Sequence, residues 1–242
     1  MRTSSLFLSL VLLVLNAVPV RADAVRAEDY QDYWLWAGVP HRPELEHART
    51  IYLLQGEIAP GPSGGAYVKY QGGAQPGPHG PALWIVYRVR TLDWSPEILS
   101  SLNRRLELWR HHAGEIRGIQ LDFDASTANL ADYARFLREA RASLPRDCKL
   151  SVTGLMDWAS QANPEDLDQL SGAVDELIFQ TYRGRKTVND IDAYLKRLDR
   201  LHIAFKLGLA EGAEWRAQDN VLKNPYFKGY VIFLQNQKHQ DH

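Results

Sequence analysis

The sequence predicts one α/β domain, a single closed (β/α)8 barrel of the TIM type with a reduced N-terminal third. Three observations support this. Eight β-rich runs follow one another along the chain, and segments with apolar residues at helical spacings separate the later runs. About 220 residues remain after a signal-like start, which suits one barrel domain. Strands that alternate with helices pair in parallel, and eight such units close into a barrel.

The strand candidates are runs rich in β-branched and aromatic residues. They cover residues 33–39, 50–58, 82–89, 116–124, 149–157, 176–183, 202–210 and 229–237. The helical patterns between the last six cover residues 95–114, 129–145, 163–174, 188–200 and 213–224. Ser95, Asn129 and Asn163 are suitable N-cap residues for the first three, and Gly114 and Pro145 are suitable stops.

The N-terminal third departs from this alternation. Residues 41–48 leave room for only a short helix, and the Gly/Pro-rich residues 61–81 occupy the place of the second helix. We expect a long loop on one barrel face there. The loop contains no Gly-Lys-Ser or Gly-Lys-Thr sequence, which argues against a phosphate-binding role.

The first 22 residues have the features of a secretory signal peptide. Arg2 is followed by an apolar run from Leu6 to about Val18, and small residues at Ala22 and Ala24 favour cleavage after Ala22. An uncleaved anchor is the alternative, although the run is short for a spanning helix and no other segment could span a bilayer. With Cys148 as the single cysteine, no internal disulfide can form, and export without disulfides favours a bacterial periplasmic or secreted protein. The mature domain is then 23–242, with no stable membrane insertion.

Composition excludes several functions. The 28 Lys+Arg and 29 Asp+Glu give a net charge of -1, so no global field recruits nucleic acid. The eight histidines are scattered and no HExxH or GxSxG sequence occurs, which argues against a zinc or serine hydrolase. We expect no metal and no cofactor. The seven tryptophans and eleven tyrosines suit either core packing or stacking on sugar rings.

Residues 117–126, RGIQLDFDAS, carry the most informative pattern. Ile119, Leu121 and Phe123 alternate with Gln120, Asp122 and Asp124. In a parallel barrel the outer strand face packs under helices, so the apolar residues belong outside and the polar ones inside, with both carboxylates at the mouth. Their Cα atoms should lie about 6 to 7 Å apart, so that each raises the other's proton affinity. One protonated and one ionised carboxyl group can cleave a glycosidic bond by acid catalysis.

Structural roles for both carboxylates remain open. Asp124 could cap a following helix, and Asp122 could form a buried salt bridge with Arg88 or Lys206. An Asp-x-Asp pair could also hold a metal for a nucleotide-sugar transferase, but an exported protein meets no such donor. The expected strand ends place further polar and aromatic groups at the mouth, and we predict that these bind substrate: Trp36, Glu57, Gln120, Asp157, Trp158 and Gln180.

RGIQLDFD resembles the strand-four signature of chitinase-like glycoside hydrolases, and IFQTYR (178–183) resembles their strand-six motif. The mature chain also resembles an exported bacterial barrel family classed as a domain of unknown function. The resemblance implies that Asp124 is the proton donor, that Asp122 polarises the substrate acetamido group, and that Tyr182 steadies the acetamido oxygen. The sequence departs from the pattern at three positions: the donor is Asp rather than Glu, Gln120 replaces an acidic residue, and Arg117 stands in place of the first Asp.

Two functions are therefore expected. One is a glycoside hydrolase that acts on a bacterial or environmental polysaccharide by carboxylate acid catalysis. The other is a catalytically silent barrel that binds glycan or protein in an envelope or polysaccharide-export assembly. In both, a polysaccharide or oligosaccharide is the expected partner.

Overall fold

The computed structural model describes residues 22–36, 40, 42–62, 64–71, 80–124, 129–156, 158 and 162–234. The expected signal peptide lies almost wholly outside these ranges. Numbered in chain order, the strands are β1 (Asp23–Ala24), β2 (Asp32–Leu35), β3 (Thr50–Pro60), β4 (Ala66–Tyr70), β5 (Ala82–Val89), β6 (Ile116–Asp122), β7 (Lys149–Leu155), β8 (Glu176–Gln180), β9 (Tyr182–Arg183), β10 (Lys186–Thr187), β11 (Phe205–Ala210), β12 (Glu214–Trp215) and β13 (Phe227–Leu234).

Eight parallel strands close into a barrel. Their order is β2, β3, β5, β6, β7, β8, β11 and β13, and β13 pairs back to β2. The predicted fold class is thus confirmed. The run at 82–89 was predicted with its observed bounds, and the other barrel strands begin or end within a few residues of the predicted ones.

The helices lie between the later strands. They are α1 (Pro96–His112), α2 (Leu130–Ser143), α3 (Pro164–Ser171), α4 (Ile191–Leu195) and α5 (Asp219–Leu222). The first three begin after the predicted N-cap residues. The last two are shorter than predicted, because Leu198–Arg200 is a separate 3-10 turn and Glu214–Trp215 pairs with β1 as a strand. Among the described helices, none combines the length and apolarity that crossing a membrane requires.

The N-terminal third contains one element that the sequence pattern did not predict. Pro43–His47 forms a short 3-10 helix, as the limited space suggested. The prediction of a long loop over 61–81 is wrong for Ala66–Tyr70, which forms β4, antiparallel to the end of β3; residues 63 and 72–79 of this range lie outside the described residues. β3 extends beyond the end of β2, so its free edge needs a partner. Gly64 and Gly65, both with positive φ, form the turn that supplies it.

The barrel wall separates two apolar clusters. Outside, Ile119 and Leu121 of β6 belong to the large core that also contains buried residues of α1 and α2. Inside, a smaller cluster of mainly aromatic residues includes Trp34, Tyr52, Trp84 and Phe233. The predicted division of β6 into an outer apolar face and an inner polar face is what the structure shows. It directs Gln120 and Asp122 into the barrel.

Candidate active site at the barrel mouth

Asp122 is the last residue of β6 and lies inside the barrel near the carboxyl ends of the strands. Its side chain is buried, with 7% of the residue exposed, and Thr153 Oγ1 donates a hydrogen bond of 2.6 Å to its Oδ1. Burial raises the pKa of Asp122 because the charged form loses hydration, and the Asp124 charge raises it further. The Thr153 hydrogen bond and the charges of Arg88 and Arg90 act in the opposite direction. The net effect is a raised pKa for Asp122.

Asp124 follows two residues later and is exposed at the rim. It lines a groove of about 520 Å³ together with Gln180, Tyr182 and Arg183. Helix α2 begins only at Leu130, after the N-cap residue Asn129. The buried and the exposed carboxylate therefore share one end of one strand, with Asp124 facing the open space.

Tyr182 lines the same groove as Asp124 and begins the short strand β9. Its ring packs 5.2 Å from the ring of Phe233. Burial raises the pKa of Tyr182 well above its usual value near 10, and the charges of Asp122 and Asp124 add to the shift. The phenol is therefore neutral at ordinary pH and can donate a hydrogen bond. Asp124, Gln180 and Tyr182 thus line one groove, and Asp122 is buried two residues before Asp124.

Two predicted substrate-binding residues lie away from solvent. Gln120 is fully buried, where its Oε1 accepts from Trp34 Nε1 at 2.8 Å and its Nε2 donates to Ser151 Oγ at 2.9 Å. Trp158 is fully buried in the outer core, 6.1 Å from Tyr133 between ring centroids. In this structure Gln120 supports the barrel interior and Trp158 packs under the helices, so neither reaches the groove. Asp157 lies outside the described residues.

Glu57 and Trp36 lie at the mouth. Glu57 pairs with Arg90 at 3.3 Å. The half-buried ring of Trp36 packs edge to face on Trp34, 4.7 Å between centroids, and the Arg88 guanidinium lies 5.5 Å from the Trp36 ring. Both side chains are thus held by neighbours, yet both remain on the side of the barrel where a ligand would enter.

The salt bridges considered for Asp122 do not form. Arg88 is in register with Asp122 on the neighbouring strand, but the two make no ion pair. Lys206 lies at the other end of the barrel, where its Nζ is 2.9 Å from Asp32 and 3.6 Å from Glu176. Asp122 is therefore a buried carboxyl group whose hydrogen bond comes from a neutral threonine.

A polar network inside the barrel was not predicted. Lys206 Nζ donates to Tyr52 Oη at 3.0 Å, and Tyr52 donates to Glu176 at 2.7 Å. Asp32 also accepts two hydrogen bonds from Arg49, at 3.0 and 2.9 Å. The signal available in sequence was that Asp32, Glu176 and Lys206 lie at or near the starts of apolar strands. Such residues pair across a barrel only when the strand order is known.

Within the described ranges, no group of three or more His, Cys, Asp or Glu side chains could hold a metal ion. The chemistry that the mouth can perform with its own side chains is proton transfer and hydrogen bonding. Asp122, Asp124 and Tyr182 are the groups placed to do it.

Comparison with known proteins supports the expected resemblance. Residues 88–190 match the model of a family described as a domain of unknown function, DUF3142. This stretch contains both carboxylates and Tyr182, and the match confirms the expected likeness to a family of that class. No curated protein matches the chain at a significant level.

Solved structures share the fold. The xylanase and α-amylase inhibitor protein XAIP-II from Scadoxus multiflorus is similar with a TM-score of 0.56 and 11% identity, over 84% of this chain and 92% of that one. The chitinase domain of the spore coat protein CotE from Clostridium difficile has a TM-score of 0.49 and 14% identity, over 82% and 68%. The spore cortex-lytic enzyme SleL from Bacillus cereus has a TM-score of 0.49 and 14% identity. The match covers 74% of this chain and 49%, about half, of the SleL chain. The TIM-type barrel is the property shared with the first of these.

Proposed function

We propose that the protein is a glycoside hydrolase that acts on a bacterial or environmental polysaccharide by carboxylate acid catalysis. The observation that carries the proposal is the pair formed by buried Asp122 and exposed Asp124, at the carboxyl end of β6 and beside an open groove. Active sites of parallel barrels form at this end. Acid-catalysed glycoside cleavage needs one carboxyl group that holds a proton and one that is ionised.

The two carboxylates have different tasks because only one faces the groove. Asp124 protonates the departing glycosidic oxygen, and Asp122 lies behind it, fixed by Thr153. We assign to Asp122 the ionised role, holding the acetamido group or the positive charge that develops on the sugar. The hydrogen bond from Thr153 and the charges of Arg88 and Arg90 favour this ionised form against the effect of burial, which raises the pKa of Asp122.

Tyr182 supplies a hydrogen-bond donor in the groove, because its neutral phenol can hold a substrate oxygen in position for cleavage. The likeness to chitinase-like enzymes suggests a polysaccharide containing N-acetylhexosamine as the substrate. Its acetamido oxygen accepts this hydrogen bond and attacks the anomeric carbon as the glycosidic bond breaks and Asp124 gives its proton to the departing oxygen. Water then hydrolyses the cyclic intermediate and returns a proton to Asp124.

The alternative is a catalytically silent barrel that binds glycan or protein in an envelope or export assembly. One observation favours it: the groove carboxylate is Asp124, whose side chain is one methylene shorter than the Glu of the resembling motif. That shortening withdraws the acid by about 1.5 Å, a large displacement for a reaction that depends on placement. The fold is also shared by the xylanase and α-amylase inhibitor protein XAIP-II.

The proposal includes a place of action. A signal peptide over residues 1–22, followed by a mature domain over residues 23–242, suits a periplasmic or secreted bacterial protein, whose partners are polysaccharides rather than nucleic acid.

The test is incubation of the mature protein with fragments of chitin, peptidoglycan and bacterial exopolysaccharide, followed by measurement of new reducing ends. New reducing ends on at least one fragment support the hydrolase. Binding to a fragment without cleavage supports the silent barrel.

A further inference from the structure

Arg88 is a cation at the barrel mouth that forms no ion pair with any residue that the structure describes. It lies on β5 in register between Glu57 of β3 and Asp122 of β6. The Glu57 carboxylate is paired with Arg90 instead, and Asp122 accepts its hydrogen bond from Thr153. Within the part of the chain that the structure describes, Arg88 forms neither a hydrogen bond nor an ion pair.

A half-buried guanidinium without an acceptor is unusual, because its five N–H donors lose hydration on burial. The contact that Arg88 makes is with the Trp36 ring, 5.5 Å away. This contact restrains the guanidinium but supplies no acceptor, since the indole nitrogen is a donor only. Arg88 is thus held in place with no hydrogen-bond acceptor among the residues that the structure describes.

A second cation lies further out. Arg183 is exposed, lines the groove with Asp124 and Tyr182, and forms no ion pair with the described residues. A ligand in the groove therefore meets one guanidinium at the rim, and a second guanidinium lies on the strand beside Asp122. The nearest acidic side chain on β3, that of Glu57, is already neutralised by Arg90.

We propose that the mouth selects an anionic sugar, a uronic acid residue whose ring carboxylate forms a bidentate pair with Arg88. The inference rests on the proposed function and names the substrate class for that site. A planar carboxylate matches the fork of a guanidinium, whereas a neutral hydroxymethyl group at the same ring position leaves the donors unpaired. Arg88 then determines specificity, and the carboxyl pair of β6 performs the chemistry on the adjacent bond.

The experiment measures binding by calorimetry to three acidic probes: a hyaluronan hexasaccharide, an oligogalacturonate and an oligomannuronate. Each is compared with its own carboxyl methyl ester, which has the same rings and linkages without the charge. Wild-type protein should bind at least one acidic probe on the order of tenfold more tightly than the ester, the effect expected of a hydrogen-bonded charge pair.

Substitution at Arg88 should remove this preference. In Arg88→Gln the affinity for the preferred acidic probe should fall about tenfold, to the level of its ester, and Arg88→Lys should recover only part of it. Arg185→Gln is the matched control, because it removes the same charge from an exposed position near the groove that does not line it. Thermal unfolding of each variant checks that the fold is retained.

The outcomes separate the inference from the proposed function. If the protein binds or cleaves acid and ester equally well, the inference is overturned and the proposed hydrolase function remains. The same holds if Arg88→Gln keeps the preference for acid over ester and changes only the pH dependence of activity. Selective binding of the acid without cleavage upholds the inference and removes the hydrolase. If none of the acidic probes binds, the inference is overturned. If Arg185→Gln loses the preference for acid over ester as fully as Arg88→Gln does, the assignment of that preference to Arg88 is overturned.

Discussion

Replacing Lys206 by Met should lower the free energy of unfolding by about 3 kcal/mol. The Lys206 Nζ lies 2.9 Å from Asp32, 3.0 Å from Tyr52 Oη and 3.6 Å from Glu176, and its side chain is buried. Removing one member of a buried ionic network costs about 3 to 5 kcal/mol, because the remaining charges stay buried without a partner. We expect the lower value, since Arg49 keeps two hydrogen bonds to Asp32.

Urea and thermal unfolding would measure this loss. For a domain of this size, 3 kcal/mol corresponds to a drop in Tm of about 6 to 12 °C. Arg49→Met is the control: its side chain is 59% exposed, so its removal should cost about 1 kcal/mol or less. The reasoning is refuted if Lys206→Met costs no more than Arg49→Met.

The stability contributed by the Asp32–Lys206 ion pair changes with pH in a direction that can be derived. Burial alone would raise the pKa of Asp32, but hydrogen bonds and charges from Arg49 and Lys206 outweigh it and lower the pKa below the ordinary value near 3.8. A group whose pKa is lowered on folding stabilises the protein at pH values above its pKa in the unfolded state. This stability is lost as the pH falls through its pKa in the folded state. Lys206→Met should therefore lose less stability on acidification than the wild type.

Three further substitutions test the mouth and the wall. Asp122→Asn should raise stability at pH 7 and lose this gain toward pH 4, because burial raises the pKa of Asp122 and destabilises the ionised carboxylate above that pKa. Urea titrations at both pH values check this, and a loss of stability at pH 7 contradicts it. Tyr182→Phe should lower the cleavage rate at least about tenfold and leave Tm little changed. Steady-state kinetics and thermal unfolding measure the two effects, and an unchanged rate would show that Tyr182 is not part of the active site. Gly118→Ala should lower the free energy of unfolding by about 3 kcal/mol, because a Cβ there would lie 1.9 Å from the Lys149 carbonyl oxygen. Gly172→Ala is the control: a Cβ there would lie 3.7 Å from its nearest atoms, so the change in the same unfolding assay should stay within about 1 kcal/mol.

Alternation along β6 was sufficient to predict the inside and the outside of the barrel. Ile119 and Leu121 had to be covered by helices, so Gln120 and Asp122 had to face inward. Helix starts were predictable for a local reason as well, because Ser95 followed by Pro96 meets the requirements of a helix N-terminus within a few residues. Both signals depend on neighbours in sequence.

Signals that depend on tertiary neighbours were weaker. Trp36 and Trp158 both follow strands closely, yet one ring lies at the mouth and the other is buried against Tyr133. The alternation that assigns side chains to the two faces of a strand does not extend past the end of the strand. The hairpin strand β4 forms because the edge of β3 is unpaired, a property of the sheet. Lys206 could be paired with Asp32 rather than with Asp122 only once the barrel was known, because it places Asp32 and Asp122 at opposite ends.

The central claim is that Asp124 delivers a proton to a glycosidic oxygen in the groove. The most direct measurement is the rate of reducing-end formation by wild-type and Asp124→Asn proteins on the best-cleaved fragment, with glycan affinity measured in parallel. The account predicts that cleavage is abolished while affinity stays within a few fold, because the proton matters in the transition state and not in binding. If the wild type cleaves the fragment and Asp124→Asn cleaves it at the same rate, the acid lies elsewhere and the account is wrong.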